Sequence, residues 1–385
     1  MTNATTSSTI PCTSVPAEGP VSTAKALRQQ LGAGPHSLVL AFASPSMERS
    51  EFASALQAEF PSVAVLGCST AGEIGPDGLG LGTVSAVAFP AADFRVAYGL
   101  VKDVRRAGPD ECRTLVERLT QELAASGVVP NKTNSFAVLL VDGMSVAEER
   151  IASSLSSALG DIDLVGGSAA DGLGFQGTHV FEGGLAHEHG AVLALVQTSV
   201  PFVVWKTQHF VPGSKRLVVT SADAEQRIVY ELNGEPAADH FAQSLGLQRE
   251  DLDPIVFAKN PVVVRIGGSD FVRSIQQAGP DGSLTFYCAI EEGVVLRDAK
   301  GVGLVENLDE AIATIRAAVG EPQLALGFDC ILRRFECERD DKMDAVSSRL
   351  SSLRCIGFST YGEQFNGLHV NQTLTGVAFG TKRGT

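Results

Sequence analysis

Along the chain, short apolar runs alternate with stretches of helical spacing, and one arrangement of the two occurs three times. In its first copy SLVLAFAS reads as a strand, residues 46–60 as a helix, VAVLGCSTAGE as a strand ending in a glycine turn, and VSAVAF as a further strand. The second copy has SFAVLLVDG, the helix VAEERIASSLSSAL, IDLVGGSAADG and GAVLALV. The third has QLALGFDC, a helix near 340–353, LRCIGFSTYGE and LTGVAFG. The pattern predicts an α/β protein of repeated strand-helix-strand-strand units with mixed sheets.

Two strand-rich stretches, residues 202–222 and 261–290, separate the second and third copies. A short helix is expected between them near 235–246, with Pro236 at its start and Phe241 and Leu245 on its apolar face. With 385 residues, two domains are expected. The reading places a flexible N-terminal tail and lead-in at 1–35, an N-terminal domain at 36–222 and a C-terminal domain at 223–381. The first twenty residues contain no Lys or Arg and no apolar stretch of signal-peptide length, and no window suits a membrane span, so a cytoplasmic protein is expected.

Composition narrows the classes. Hydrophobic residues make up 44% and charged residues 19%, which suits a packed globular chain. The formal charge of −14, without a long basic run, argues against a nucleic-acid partner. Seven scattered cysteines, with no C-x-x-C, suit reduced thiols. Cys330 and Cys337 would stand roughly 23 Å apart on a continuing strand, too far to pair.

Three further patterns bear on chemistry. Gly67, Gly167 and Gly357, followed by Ser69, Ser168 and Ser359, place small residues at strand ends, where α/β proteins bind ligands. Relief of close packing is the alternative reading of the glycines. A serine hydrolase built on Ser69 or Ser359 would need G-x-S-x-G followed by a helix, and both sequences here are one residue too long. The fingerprint Gly172-x-Gly174-x-x-Gly177 runs into strand and loop, without the helix that would hold a pyrophosphate.

The motifs VLGCSTAGEI, LVGGSAADG, HFVPG, IVYELNGEPA, CILR and GFSTYGEQFNGLHVNQTLTG resemble those of FIST-domain sensory proteins, over residues 36–381. Within that family, TFYCAIEEGVVL and YGEQFNGLHVNQTLTGVA are similar to the nitric-oxide-sensing haemoprotein subgroup NosP. The resemblance implies a two-domain FIST architecture and a sensor with no catalytic residues. It further implies haem b as cofactor, nitric oxide as signal, and a separate histidine kinase or cyclic-di-GMP enzyme as partner. A haem-free sensor of an amino acid or other metabolite is the first alternative.

Four histidines are candidates for the axial ligand, with His209 and His369 ahead of His179 and His240, because both flank apolar strands inside the resembling stretches. For each, a buried His bonded to backbone is the competing reading. His187 and His189 lie in a polar loop without a third ligand, so no other metal site is expected. The expected pocket adds Cys330, Arg333, Tyr361, Glu363 and Asn371. Arg333, from the family's Cys-x-x-Arg, would suit a ligand carboxylate, a surface salt bridge being the alternative.

Overall fold

The computed structural model describes residues 9–172, 174 and 176–382. The chain forms two compact units, one built from the described residues up to Lys206 with Leu308–Leu368 and those from Leu374 on, the other from Thr207–Asn307 with His369–Thr373.

The first unit holds three repeats, each longer than its sequence pattern suggests. Repeat one runs β1 (Cys12–Pro16), α1 (Pro20–Leu31), β2 (His36–Ala43), α2 (Arg49–Glu59), β3 (Ala64–Ser69), β4 (Glu73–Gly75), β5 (Gly78–Gly80) and β6 (Thr83–Pro90). Repeat two runs β7 (Phe94–Val101), α3 (Pro109–Ala124), β8 (Ser135–Val141), α4 (Glu148–Leu159), β9 (Leu164–Ser168), β10 (Val180–Glu182), β11 (Leu185–His187) and β12 (Ala191–Thr198). Repeat three opens with β13 (Phe202–Gln208), after which the chain leaves for the second unit.

The second unit contains β14 (Phe210–Asp223), β15 (Ile228–Leu232), β16 (Glu235–Pro236), α5 (Ala237–Leu245), α6 (Pro254–Lys259), β17 (Val262–Ile266), β18 (Ser269–Arg273), β19 (Ile275–Ala278), β20 (Leu284–Phe286) and β21 (Val295–Gly301). Repeat three resumes with α7 (Leu304–Val319), β22 (Leu324–Cys330), α8 (Ile331–Arg339), α9 (Met343–Ser352), β23 (Cys355–Thr360), β24 (Glu363–Phe365), β25 (Leu368–Val370) and β26 (Thr373–Phe379).

Each repeat pairs its two central strands in parallel and its return strand antiparallel, giving the sheet cores β6-β2-β3, β12-β8-β9 and β26-β22-β23. The hairpins do not stay at home. β4-β5 adds to β23, β10-β11 adds to β3 and β24-β25 adds to β9, so the exchange closes after three steps. The edge strands β1, β7 and β13 complete three six-stranded sheets. Two exchanged hairpins turn through Gly183-Gly184 (φ 59°, 80°) and Asn366-Gly367 (φ 44°, 82°), the positive pair that a two-residue turn matching strand twist requires.

The inner faces of the three sheets meet in one apolar core. Phe42 stacks on Phe358 at 4.9 Å between ring centroids, Phe328 meets both edge-on, and Phe89, Phe94, Phe136 and Phe379 form a second aromatic group. Outer faces are covered by helices, with Leu27, Phe52 and Leu56 over the first sheet and Leu115, Leu119, Ile151 and Leu155 over the second. α3 starts after Gly108 with Pro109 in its first turn, joined by Asp110 and Glu111 against the helix dipole.

The second unit is an antiparallel sheet in the order β18-β17-β21-β14-β15-β20-β19, with β16 beside β15. Its short helix α5 follows Pro236 as expected and buries Phe241.

The expected α/β class and mixed sheets are present. Three expectations differ. Residues 1–8 of the expected tail lie outside the described residues, whereas Cys12–Pro16 is a strand and Pro20–Leu31 a helix, not flexible chain. Residue 222, the expected boundary, lies inside β14, because the second unit is inserted into repeat three and the units are nested in the sequence. Cys330 ends β22 and caps α8, and Cys337 lies within α8, so the two are not on one continuing strand.

Candidate functional site

The strand ends of the three repeats are joined by a closed set of main-chain hydrogen bonds. Ser69, Ser168 and Ser359 donate their N–H groups to the carbonyls of His179, Gly362 and Gly72, at 3.0, 2.9 and 2.7 Å. Their own carbonyls accept from Ala170, Tyr361 and Ala71, at 3.0, 3.3 and 3.0 Å. Each serine therefore ties its repeat to another in both directions. The Ser69 hydroxyl accepts from His179 N–H at 3.1 Å, and that of Ser168 accepts from Gln364 Nε2 at 3.1 Å.

Gly67 and Gly357 serve strand packing, not a turn. A Cβ there would lie 2.0 Å from Ala41 O and 1.6 Å from Gly327 O, because paired strands approach too closely for a side chain. Their counterpart in repeat two is Gly166, whose Cβ would stand 1.8 Å from Leu139 O. Gly167 instead faces Thr360 Cγ2 at 2.5 Å. The sequence reading of three glycine turns is corrected accordingly.

Thr70 and Thr360 donate to the buried carboxylates of Glu73 and Glu363, both at 2.5 Å, so repeats one and three share a Ser-Thr-x-Gly-Glu corner. Burial raises the Glu73 carboxyl above its ordinary range, against the lowering effect of bonds from Thr70 and Thr83 and of the Arg334 charge. Tyr361 donates its hydroxyl to Asp171 and to Gly172 O. Arg333 does not lie on the surface. Its Nε donates to Asp329 Oδ1 at 2.6 Å, and both side chains are about 1% exposed. Its charge is thus already met by a carboxylate of the same helix corner. Beside them, burial and the Asp329 charge push the Cys337 thiol up to about 12.

The histidines are distributed over both units. His179 points Nε2 at Glu188 Oε1, 3.1 Å away, and His189 Nδ1 stands 3.2 Å from Asp142 Oδ2. In the second unit His240 has both ring nitrogens engaged, Nδ1 with Glu235 at 3.0 Å and Nε2 with Asn233 at 2.9 Å. That arrangement leaves no ring nitrogen for iron.

His209 and His369 are placed differently. Both are buried in the second unit, as are Arg273, Ser274, Asn371 and Gln372. His209 packs its ring against Phe210 at 4.4 Å. Arg273 Nη1 donates to Val272 O at 3.1 Å and to His369 O at 3.3 Å. Asn371 Oδ1 accepts from Ser274 N–H at 3.4 Å, and Gln372 Nε2 donates to Ala258 O at 3.1 Å. The segment His369–Thr373 thus brings residues of repeat three beside the end of β18. Buried polar groups need partners, and a ligand is one way to supply them.

Residues 37–235 match the FIST N domain and residues 237–366 the FIST C domain. The chain belongs to the FIST family. No curated protein matches it. FIST domains are associated with small-ligand-binding sensors of signal transduction, and that level of function applies to this FIST protein. No helix among the described residues is long and apolar enough to cross a membrane.

Of the expected pocket residues in this FIST protein, Asn371 belongs to the second unit, as do His209 and His369, whereas Ser69, Ser168, Ser359 and Tyr361 lie at the junction of repeats and Cys330 and Arg333 in α8 and its cap. Arg273, Ser274 and Gln372 were missed. Arg273 ends an edge strand in an ordinary-looking run, FVRSIQQ, and only its burial distinguishes it.

Proposed function

We propose that this FIST protein is a non-enzymatic sensor whose small ligand engages the buried polar group of the second unit. The observation that carries this reading is the burial of His209, Arg273, Ser274, His369, Asn371 and Gln372 in one unit, where Arg273 meets His369 and Ser274 meets Asn371, in a protein whose family is sensory. Haem b with nitric oxide as signal is the ligand suggested by the resemblance of residues 285–296 and 361–377 to the NosP subgroup. His209 and His369 are buried imidazoles, the side chain that ligates haem iron, and are the residues that would hold it. When bound, haem supplies an iron site for the gas. The output would pass to a separate histidine kinase or cyclic-di-GMP enzyme by a shift in conformational preference.

The test is the visible spectrum of protein expressed with ample haem. A Soret band that shifts when nitric oxide meets the ferrous form is expected, lost or altered in His209→Ala or His369→Ala and unchanged in His240→Ala. Protein that stays colourless and takes up no haem in titration removes the haem reading. The reading left would be a haem-free metabolite sensor, favoured by the amide and hydroxyl groups of Asn371, Gln372 and Ser274.

A further inference from the structure

Arg273 is a charged side chain only 7% exposed. Its partners are two main-chain carbonyls, Val272 O and His369 O, both met through Nη1. No carboxylate stands within ion-pair distance of it among the described residues. The contrast with Arg333 is sharp, because that still more deeply buried guanidinium is held by Asp329 at 2.6 Å. A buried cation without a counter-ion is costly, and a bound anion would offset that cost.

A second observation lies next to it in the chain. Ser274 Oγ is buried without a hydrogen-bond partner, as is Gln372 Oε1, and Asn371 bonds the main chain of Ser274. We infer that Arg273 is the anchor for a carboxylate of the ligand, with Ser274 Oγ as a neighbouring donor. The inference rests on the sensory reading above and adds the ligand's chemical class. A planar guanidinium suits a carboxylate because it offers parallel N–H donors at the right spacing. The carboxylate has two sources, a haem propionate or the acid group of a free metabolite.

The experiment uses matched probes that differ in the acid group alone. Haem b is compared with its dimethyl ester by absorbance titration. The twenty amino acids are compared with their carboxamides by thermal shift. The wild type should bind an acid probe more tightly than its neutral partner, and Arg273→Met should weaken the acid probe roughly ten- to hundred-fold while leaving the neutral one unmoved. Arg273→Lys, which keeps the charge and loses the fork, should fall between them and guards against a misfolded Met variant. An effect on haem alone identifies a propionate, and an effect on an amino acid alone a metabolite.

Equal binding of acid and neutral probes by the wild type overturns the inference while leaving the sensory reading intact. So does a lowered melting temperature in Arg273→Met with the acid preference retained, which would mark a structural clamp. Binding of neither form of any probe overturns both.

Discussion

Ser69 and His179, 110 residues apart, are bonded twice, by Ser69 N–H to His179 O at 3.0 Å and by His179 N–H to Ser69 Oγ at 3.1 Å. The pair fixes the start of the β10-β11 hairpin against the strand of another repeat. Its counterparts at Ser168 and Ser359 close the same link around the first unit. No repeat completes its own sheet, since each borrows a hairpin from another. Their folding should therefore be mutually dependent.

This dependence gives a first prediction. Gly357→Ala places a methyl where Gly327 O would be 1.6 Å away, and backbone cannot move aside as a flexible side chain could. We expect a loss of about 3 kcal/mol or more in urea unfolding, with the first unit lost as a single transition. Gly108→Ala, with nothing within 4 Å of the new methyl, should stay within about 1 kcal/mol of the parent. Equal effects of the two changes would contradict the close-approach account.

The Asp329–Arg333 pair gives a second. Asp329→Ala leaves a guanidinium buried without its carboxylate, which should destabilise by about 3–5 kcal/mol. Adding Arg333→Met to it removes the stranded charge and should restore part of that loss. A double variant no more stable than Asp329→Ala would show that the pair's worth lies in packing alone.

Much of the first unit was legible because its central strands are continuous apolar runs of strand length, such as SLVLAFAS and SFAVLLVDG, as buried strands require. The edge strands β1 and β7 were not. β1 contains Thr13, Ser14 and two flanking polar-rich segments, and its strand state comes from pairing with β6, not from its own pattern. Hairpin exchange was equally hidden, since the three-residue strands β4 and β10 carry no address for the sheet they join. At the site, His209, His369 and Asn371 were visible through their motifs. Arg273 was not, because a sequence does not show which arginine of an edge strand will be buried without a carboxylate.

A third prediction concerns Ser69 and Ser359. Each is followed by a short hairpin strand, not by the helix of a nucleophile elbow, and the ring of His179 is turned to Glu188. Ser69→Ala and Ser359→Ala should therefore remove no ester hydrolysis from the purified protein. Robust turnover of an ester panel, abolished by either change, would defeat the sensory reading.

The last prediction follows from His179. Burial, and next the Arg49 charge, hold its pKa below the ordinary 6.5, against the opposing pull of Glu188 and Asp142. The folded protein thus resists a proton that the unfolded chain accepts. Stability from this group is present above the unfolded value and is lost as pH falls through 6.5 toward the lower folded value. Each unit of depression is worth about 1.4 kcal/mol at the acid limit. His179→Gln keeps the main-chain bonds to Ser69 and removes the titration, so its urea midpoint should fall less than the parent's between about pH 7.5 and about pH 5.5. All other side chains are common to both proteins, which makes the difference between the two midpoints the decisive quantity. Parallel declines would mean that the His179 ring is protonated as readily in the folded chain as in the unfolded one.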